Sequence, residues 1–309
     1  MSRIHEALKK AELERTVAER TETPHITADQ MLESVSARRA PAATLEPYTA
    51  IAVESAPAPA GGLAVEQLRE RCAKPRWKPD PKTMLFFQSE DHGPGTEEFR
   101  TLRTRLYKIR EKQPLRSLLI TSALPAEGKS FVASNLAQVI SRQHERRTLL
   151  IDGDLRKSRL HVPLGALHAP GLAEYLRGDL DEYGVIQQSP EANLFFIPGG
   201  EPPSNPAELL GNGRFQQLLD RAAGVFDWII VDSPPAVPVA DASMLARLVD
   251  GVLFVVRAGF TPYDLAQKAC DEFRDKHLVG AVLNRMERGS DQSYYYDGYR
   301  YGAPRKSKG

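Results

Sequence analysis

The sequence predicts an α/β protein, with a doubly wound, mostly parallel sheet covered by helices on both faces. Three observations carry that reading. Apolar runs of strand length recur without polar alternation at LLI, TLLI, NLFFIP, DWIIV, GVLFVV and LVGAVL, as in strands buried on both faces. Segments of helical periodicity separate these runs, giving the succession of a parallel sheet. One run, Leu118 to Ile120, opens into a loop and then an apolar-periodic helix through Ala123-x-x-x-x-Gly128-Lys129-Ser130. That is a phosphate-loop (P-loop) spacing with alanine where the first glycine usually stands.

Length and composition set the bounds. A chain of 309 residues has room for about two domains. With 41% hydrophobic and 26% charged residues, the composition is that of a soluble protein. A net charge of +1 gives no field directed at nucleic acid. Cys72 and Cys270 are far apart, form no metal pattern and require no oxidising compartment. No apolar run approaches the roughly 18 residues of a membrane span. The first ten residues lack the apolar segment of a signal peptide. The expectation is a cytoplasmic protein that reaches a membrane only through a partner.

Four segments follow from the patterning. Residues 1–20 form an amphipathic helix with Ile4, Ala7, Leu8 and Ala11 on one stripe and Ser2 as N-cap. A docking helix and a solvated arm both fit it. Residues 21–82, rich in Ala, Pro, Glu and Thr, read as a low-complexity linker with short helical pieces at Ala28–Ser36 and Val65–Arg71. Residues 83–289 form the P-loop domain, and residues 290–309 a flexible tyrosine-rich tail.

Within the domain, order returns near Met84. Thr96 is expected to cap a helix from Glu97 to about Glu111, with Phe99, Leu102, Leu106 and Ile109 on its apolar face. Glu97, Arg100 and Arg103 climb a neighbouring face, either solvated or intersubunit. The phosphate loop comes next. Its backbone N–H groups and the following helix N-terminus concentrate positive potential on an anion, so Ala126, Glu127, Gly128, Lys129, Ser130 and Phe131 are the expected ATP contacts. Lys129 supplies a charge for the outer phosphates, and the Ser130 hydroxyl can ligate Mg²⁺.

The strand Thr148–Ile151 ends in Asp152-Gly153-Asp154-Leu155-Arg156, two carboxylates at the sheet edge where open parallel sheets bind ligands. One carboxylate could take a proton from an attacking hydroxyl and the other could bind Mg²⁺. A helix at Gly171–Gly178, a strand at Asn193–Pro198, a Pro-rich turn and helices opening at Asn205 and Arg214 follow. The strand Asp227–Val231 then ends in Asp232-Ser233-Pro234-Pro235, the Walker B arrangement, in which Asp232 can hold the Mg²⁺ ligated by Ser130. Helix Ala240–Val249, strand Gly251–Val256, helix Pro262–Arg274 and strand Leu278–Leu283 complete the domain. The tail holds five of the ten tyrosines: Tyr294, Tyr295, Tyr296, Tyr299 and Tyr301. Beside an ATP-type site such a cluster is either an interaction patch or a set of phosphate acceptors.

Together these motifs resemble the bacterial tyrosine autokinases of capsule and exopolysaccharide synthesis. Asp152–Arg156 looks like their Walker A′ motif, Glu97-x-x-Arg100-x-x-Arg103 like their oligomerisation motif, and Pro198–Leu210 like a further shared stretch. The start, MSRIHEALKKA, looks like kinases encoded with exosortase-linked polysaccharide systems. The resemblance implies a P-loop fold of the MinD/ParA-like class. It also implies ATP and Mg²⁺ as cofactors, with Ser130, Asp154 and Asp232 around the metal. Asp152 would be the base for the phenolic proton, and Asn284 would lie near adenine. It further implies a homo-oligomeric ring, a membrane activator of the chain-length-determinant type and a cognate tyrosine phosphatase. Two alternatives share parts of the pattern. Switch ATPases of the MinD/ParA type resemble one another in an extra early-loop lysine, and Thr121–Glu127 contains none. A non-catalytic ATP-gated scaffold needs the same Mg-ATP residues. A small GTPase is disfavoured, since Asn284-Arg285-Met286-Glu287 is not a guanine reader.

Overall fold

A computed structural model of the chain describes residues 62–87, 95–143, 146–191, 193–275 and 278–286. The helix expected at 1–20, the linker up to residue 61 and the five tail tyrosines lie outside these residues.

Two helices, α1 (Val65–Arg71) and α2 (Thr96–Arg110), precede the first strand, β1 (Ser117–Ser122). Next come α3 (Lys129–Ser141), β2 (Thr148–Asp152), α4 (His161–Leu164), α5 (Leu172–Arg177), α6 (Glu182–Val185), β3 (Gln187–Gln188) and β4 (Leu194–Ile197). The second half holds α7 (Pro206–Gly211), α8 (Arg214–Ala222), β5 (Trp228–Asp232), α9 (Asp241–Ala246), β6 (Gly251–Arg257), α10 (Tyr263–Asp271) and β7 (Leu278–Asn284). One seven-stranded sheet results, in the order β3-β4-β2-β5-β1-β6-β7. All its pairs are parallel except β3 with β4.

The continuous apolar runs become strands because helices cover both faces. Successive side chains point to opposite faces. Leu118 and Ile120 therefore enter a core with Leu136 of α3 and Leu106 of α2. Leu119 enters the other core, with Leu218 of α8 and Leu245 of α9. The sheet order sets the site: β5 lies between β1 and β2, so the carboxyl ends of three motif-bearing strands are neighbours. Ile120 pairs with Asp232, and Asp232 pairs with Asp152.

The structure departs from the sequence expectations at several points. Residues 62–82 are not linker-like. Leu63, Leu68, Cys72 and Trp77 are buried, Ala73 bridges to Gln187, and the Lys78 N–H donates to Gly165 O at 3.2 Å. This segment and residues 83–87 form a strap over the domain. Thr96 is not the cap of α2 but its first helical residue; Gly95, at φ 93°, holds the cap position, and Thr96 is buried. The strand β3 was not expected, because two glutamines carry no strand pattern. Helix α9 stops at Ala246, short of Val249.

Candidate active site

The phosphate loop is shaped by two left-handed residues, Ala126 at φ 63° and Gly128 at φ 93°. At Gly128 the requirement is steric as well, since a Cβ there would sit 2.0 Å from Asn284 Nδ2. Helix α3 begins at Lys129, so its first N–H groups face the loop. Asn284, at the end of β7, donates from Nδ2 to Glu127 O at 2.8 Å. The residue expected near adenine therefore buttresses the phosphate loop. The Glu127 side chain turns away from the loop mouth, toward Leu124 N and Thr261.

Three carboxylates stand against this loop. The Ser130 hydroxyl donates to Asp232 Oδ2 at 2.6 Å. Asp232 Oδ1 is buried and has no hydrogen-bond partner among the described residues. Burial pushes the Asp232 carboxyl up to about 7; Lys129 opposes the rise and Asp152 adds to it. Lys129 Nζ lies 4.0 Å from Asp154 Oδ2. Asp152 is 1% exposed. Its Oδ2 accepts from Ser158 Oγ at 2.7 Å, Arg159 N at 3.0 Å and Leu160 N at 3.1 Å. Among the described residues, its Oδ1 accepts only a longer bond, from Asp154 N at 3.2 Å. Burial pushes Asp152 up to about 6, with the Ser158 hydrogen bond opposing.

This donor set suits a hard cation. A buried carboxylate oxygen without a partner is costly unless something positive completes it. Asp232 Oδ1, the Ser130 hydroxyl and nearby Asp154 are oxygen ligands of the kind Mg²⁺ takes. The fit rests on that orphaned oxygen.

The structure thus brings Lys129, Ser130, Asp152, Asp154 and Asp232 to one crevice. The Glu97-x-x-Arg100-x-x-Arg103 motif is elsewhere, on α2. There Arg100 pairs with exposed Glu97, while Arg103 turns inward and donates to Val139 O at 2.8 Å. Two contacts around the crevice had no sequence signal. Ser158 links Asp152 to the Pro198-Gly199-Gly200 turn, because Gly199 N donates to Ser158 Oγ at 3.2 Å. Arg156 pairs with buried Asp241 of α9 through two hydrogen bonds, of 2.7 and 3.0 Å.

No protein-family model matches the chain. Among curated proteins, it is 35% identical over 215 residues to the tyrosine-protein kinase YwqD of Bacillus subtilis, covering 68% of this chain and 90% of that protein. The chain belongs to the bacterial tyrosine-protein kinases. The match to the tyrosine-protein kinase etk of Escherichia coli K12 is 36% identical but covers only 28% of that longer protein. The solved kinase domain of E. coli ETK superposes with a TM-score of 0.64 at 33% identity, covering 74% of this chain and 89% of that one. The chimerical protein CapA2B2 gives 0.63 at 27% identity, covering 72% and 99%. These relatives favour a kinase over the switch ATPase and the scaffold. Among the described residues, this kinase has no helix long and apolar enough to cross a membrane.

Proposed function

We propose that this crevice transfers the terminal phosphoryl group of ATP to tyrosines of the C-terminal cluster, Tyr294, Tyr295, Tyr296, Tyr299 and Tyr301. The observation that carries the reading is the pair of buried aspartates on adjacent strand ends, each with one oxygen held and the other less committed. Asp232 and Ser130, with Asp154, would hold Mg²⁺, which when bound would offset charge on the outer phosphates. Lys129, anchored at the start of α3, attracts those phosphates. Asp152 keeps Oδ2 occupied by three donors, which leaves Oδ1 to accept the phenolic proton. A free phenol has a pKa of about 10, so a fixed acceptor assists its attack.

The same reading extends to assembly. Glu97 and Arg100 on α2 would meet a second copy in a ring, with Arg103 bracing α2 against α3 from inside. Phosphorylation adds about −1.5 to −2 charges per tyrosine. Several such charges would repel and loosen a ring, and a cognate phosphatase would reset it. A membrane activator of the chain-length-determinant type would recruit the kinase from the cytoplasm to the membrane's inner face, where it would regulate capsule or exopolysaccharide export.

Mass spectrometry after incubation with Mg-ATP tests the core of this. Phosphotyrosine should map within Tyr294–Tyr301 and be absent in Lys129→Met and Asp152→Asn. ATP hydrolysis without tail labelling would refute the assignment.

A further inference from the structure

Glu127 is an odd residue to find in a loop that receives phosphates. It is fully buried, at 0% exposure. Its carboxylate does not face the loop mouth. Oε2 accepts from Leu124 N at 2.5 Å, closing a short arc inside the loop. Oε1 accepts from the Thr261 hydroxyl, past the end of β6, and, at 3.5 Å, from the N–H of Arg257, the last residue of β6. The residue's own carbonyl takes the Asn284 amide at the end of β7. One residue therefore ties the loop to the exits of β1, β6 and β7. Next to it, Ala126 is held at φ 63°, a region that costs a non-glycine residue about 1 kcal/mol or more.

We infer that Glu127 is a positioning residue, whose buried carboxylate holds the phosphate loop, with Ala126 in its left-handed turn, ready for nucleotide. The inference rests on the reading that this loop takes the phosphates of ATP. A negative charge behind a phosphate site opposes binding through its field, so its contribution must come through geometry. Burial raises the Glu127 carboxyl, which lessens that field. Without the tether, Ala126 relaxes to an ordinary conformation and the loop must be rebuilt at each binding event.

Steady-state ATP titrations on the full chain test this. Glu127→Ala should raise KM for ATP by about tenfold or more, with a smaller loss in kcat. Glu127→Gln, which keeps an acceptor for Leu124 N, should stay within about threefold of the parent. Adding Ala126→Gly to Glu127→Ala should recover much of the lost affinity, because glycine adopts the turn without strain. A general structural lesion would not respond to glycine at 126. An unchanged or lowered KM in Glu127→Ala, or no recovery with glycine, overturns the inference. If Glu127→Ala does not fold, Thr261→Val removes one arm of the tether and should raise KM by a smaller factor; no rise overturns the inference equally. Lys129→Met is the control: if its nucleotide binding is intact, the phosphate-loop reading fails first and the inference falls with it.

Discussion

Asp152 and Asp232 are register partners on adjacent parallel strands, two buried carboxylates brought side by side at one sheet edge. Among the described residues, neither has a basic side chain hydrogen-bonded to it; Ser158 and backbone amides hold the first, Ser130 the second. Burial dominates both; the Asp152 carboxylate further raises the proton affinity of Asp232, and Asp154 raises that of Asp152. The arrangement is destabilising in the free protein and suited to a bound cation.

The first consequence concerns stability. An aspartate raised to about 7 in the folded state binds its proton more tightly folded than unfolded. Its contribution is complete below the unfolded value of about 4 and is lost as pH rises through about 7. The metal-free protein should therefore lose stability between those limits. Asp232→Asn should be more stable than the parent at pH 8 by about 1–3 kcal/mol, yet inactive. Thermal melts without metal at two pH values check this. A less stable variant at pH 8 would contradict it.

Protons and Mg²⁺ should also compete at Asp232. The half-saturating Mg²⁺ concentration should rise as pH falls below about 7, where the carboxyl takes up a proton. Asp152 loses its charge lower down, at about 6, so autophosphorylation at saturating Mg-ATP should fall as pH drops through that region. Initial rates on a grid of pH and Mg²⁺ separate the two effects. Asp152→Asn can keep an oxygen toward its three donors, so it should fold normally while losing about 10²–10⁴ in rate.

Arg156 and Asp241 form a second pair whose loss should be felt. Asp241 is 1% exposed, and its side chain is bound by the Arg156 fork at 2.7 and 3.0 Å. The guanidinium is partly solvated, at 40% exposure, which reduces what the pair contributes. Arg156→Ala leaves a buried carboxylate without its partner and should cost about 1–3 kcal/mol. The double variant Arg156→Ala/Asp241→Ala should cost less than the sum of the singles. Urea unfolding of all four proteins gives the coupling energy, and strict additivity would show that the contact is idle.

Much of the site was legible because its motifs are local. Gly128-Lys129-Ser130, Asp152-x-Asp154 and Asp232 each sit at the end of an apolar run, and a parallel sheet brings such ends together. Ser158 was not legible, because its value comes from a turn 41 residues away in sequence, at Gly199. Thr261 was hidden for the same reason, 134 residues from Glu127. The stretch of the strap between α1 and Met84 was missed because extended chain has no helical period and alternates only when one face is wet. Trp77 is buried singly, between prolines and charges, whereas Met84 and Phe86, also buried, lie in the apolar run where order was expected to return. Arg103 shows the converse: its spacing matched a solvated face, but the closeness of α3 let its guanidinium cap a helical carbonyl.

The strap makes the last prediction. The Lys78 N–H donates to Gly165 O and the Asp80 N–H to Pro163 O, in the segment following the amides that hold Asp152. On its other side, Asn135 of α3 accepts from Leu85 N at 2.8 Å and donates to Thr83 O at 2.9 Å. The strap therefore touches both the phosphate-loop helix and the segment behind the proposed base. Gly165 sits at φ 61°, and a Cβ there would lie 2.2 Å from Lys78 O. Gly165→Ala should lift residues around Lys78 rather than open the sheet. Limited proteolysis should then cut within 76–82 faster than in the parent, and the autophosphorylation rate should fall while KM for ATP changes less. Asn135→Ala, which removes the anchor on α3, should expose the same stretch and cost about 1–3 kcal/mol. If both variants leave cleavage and rate at parental values, the strap is only a cover and transmits nothing to Asp152.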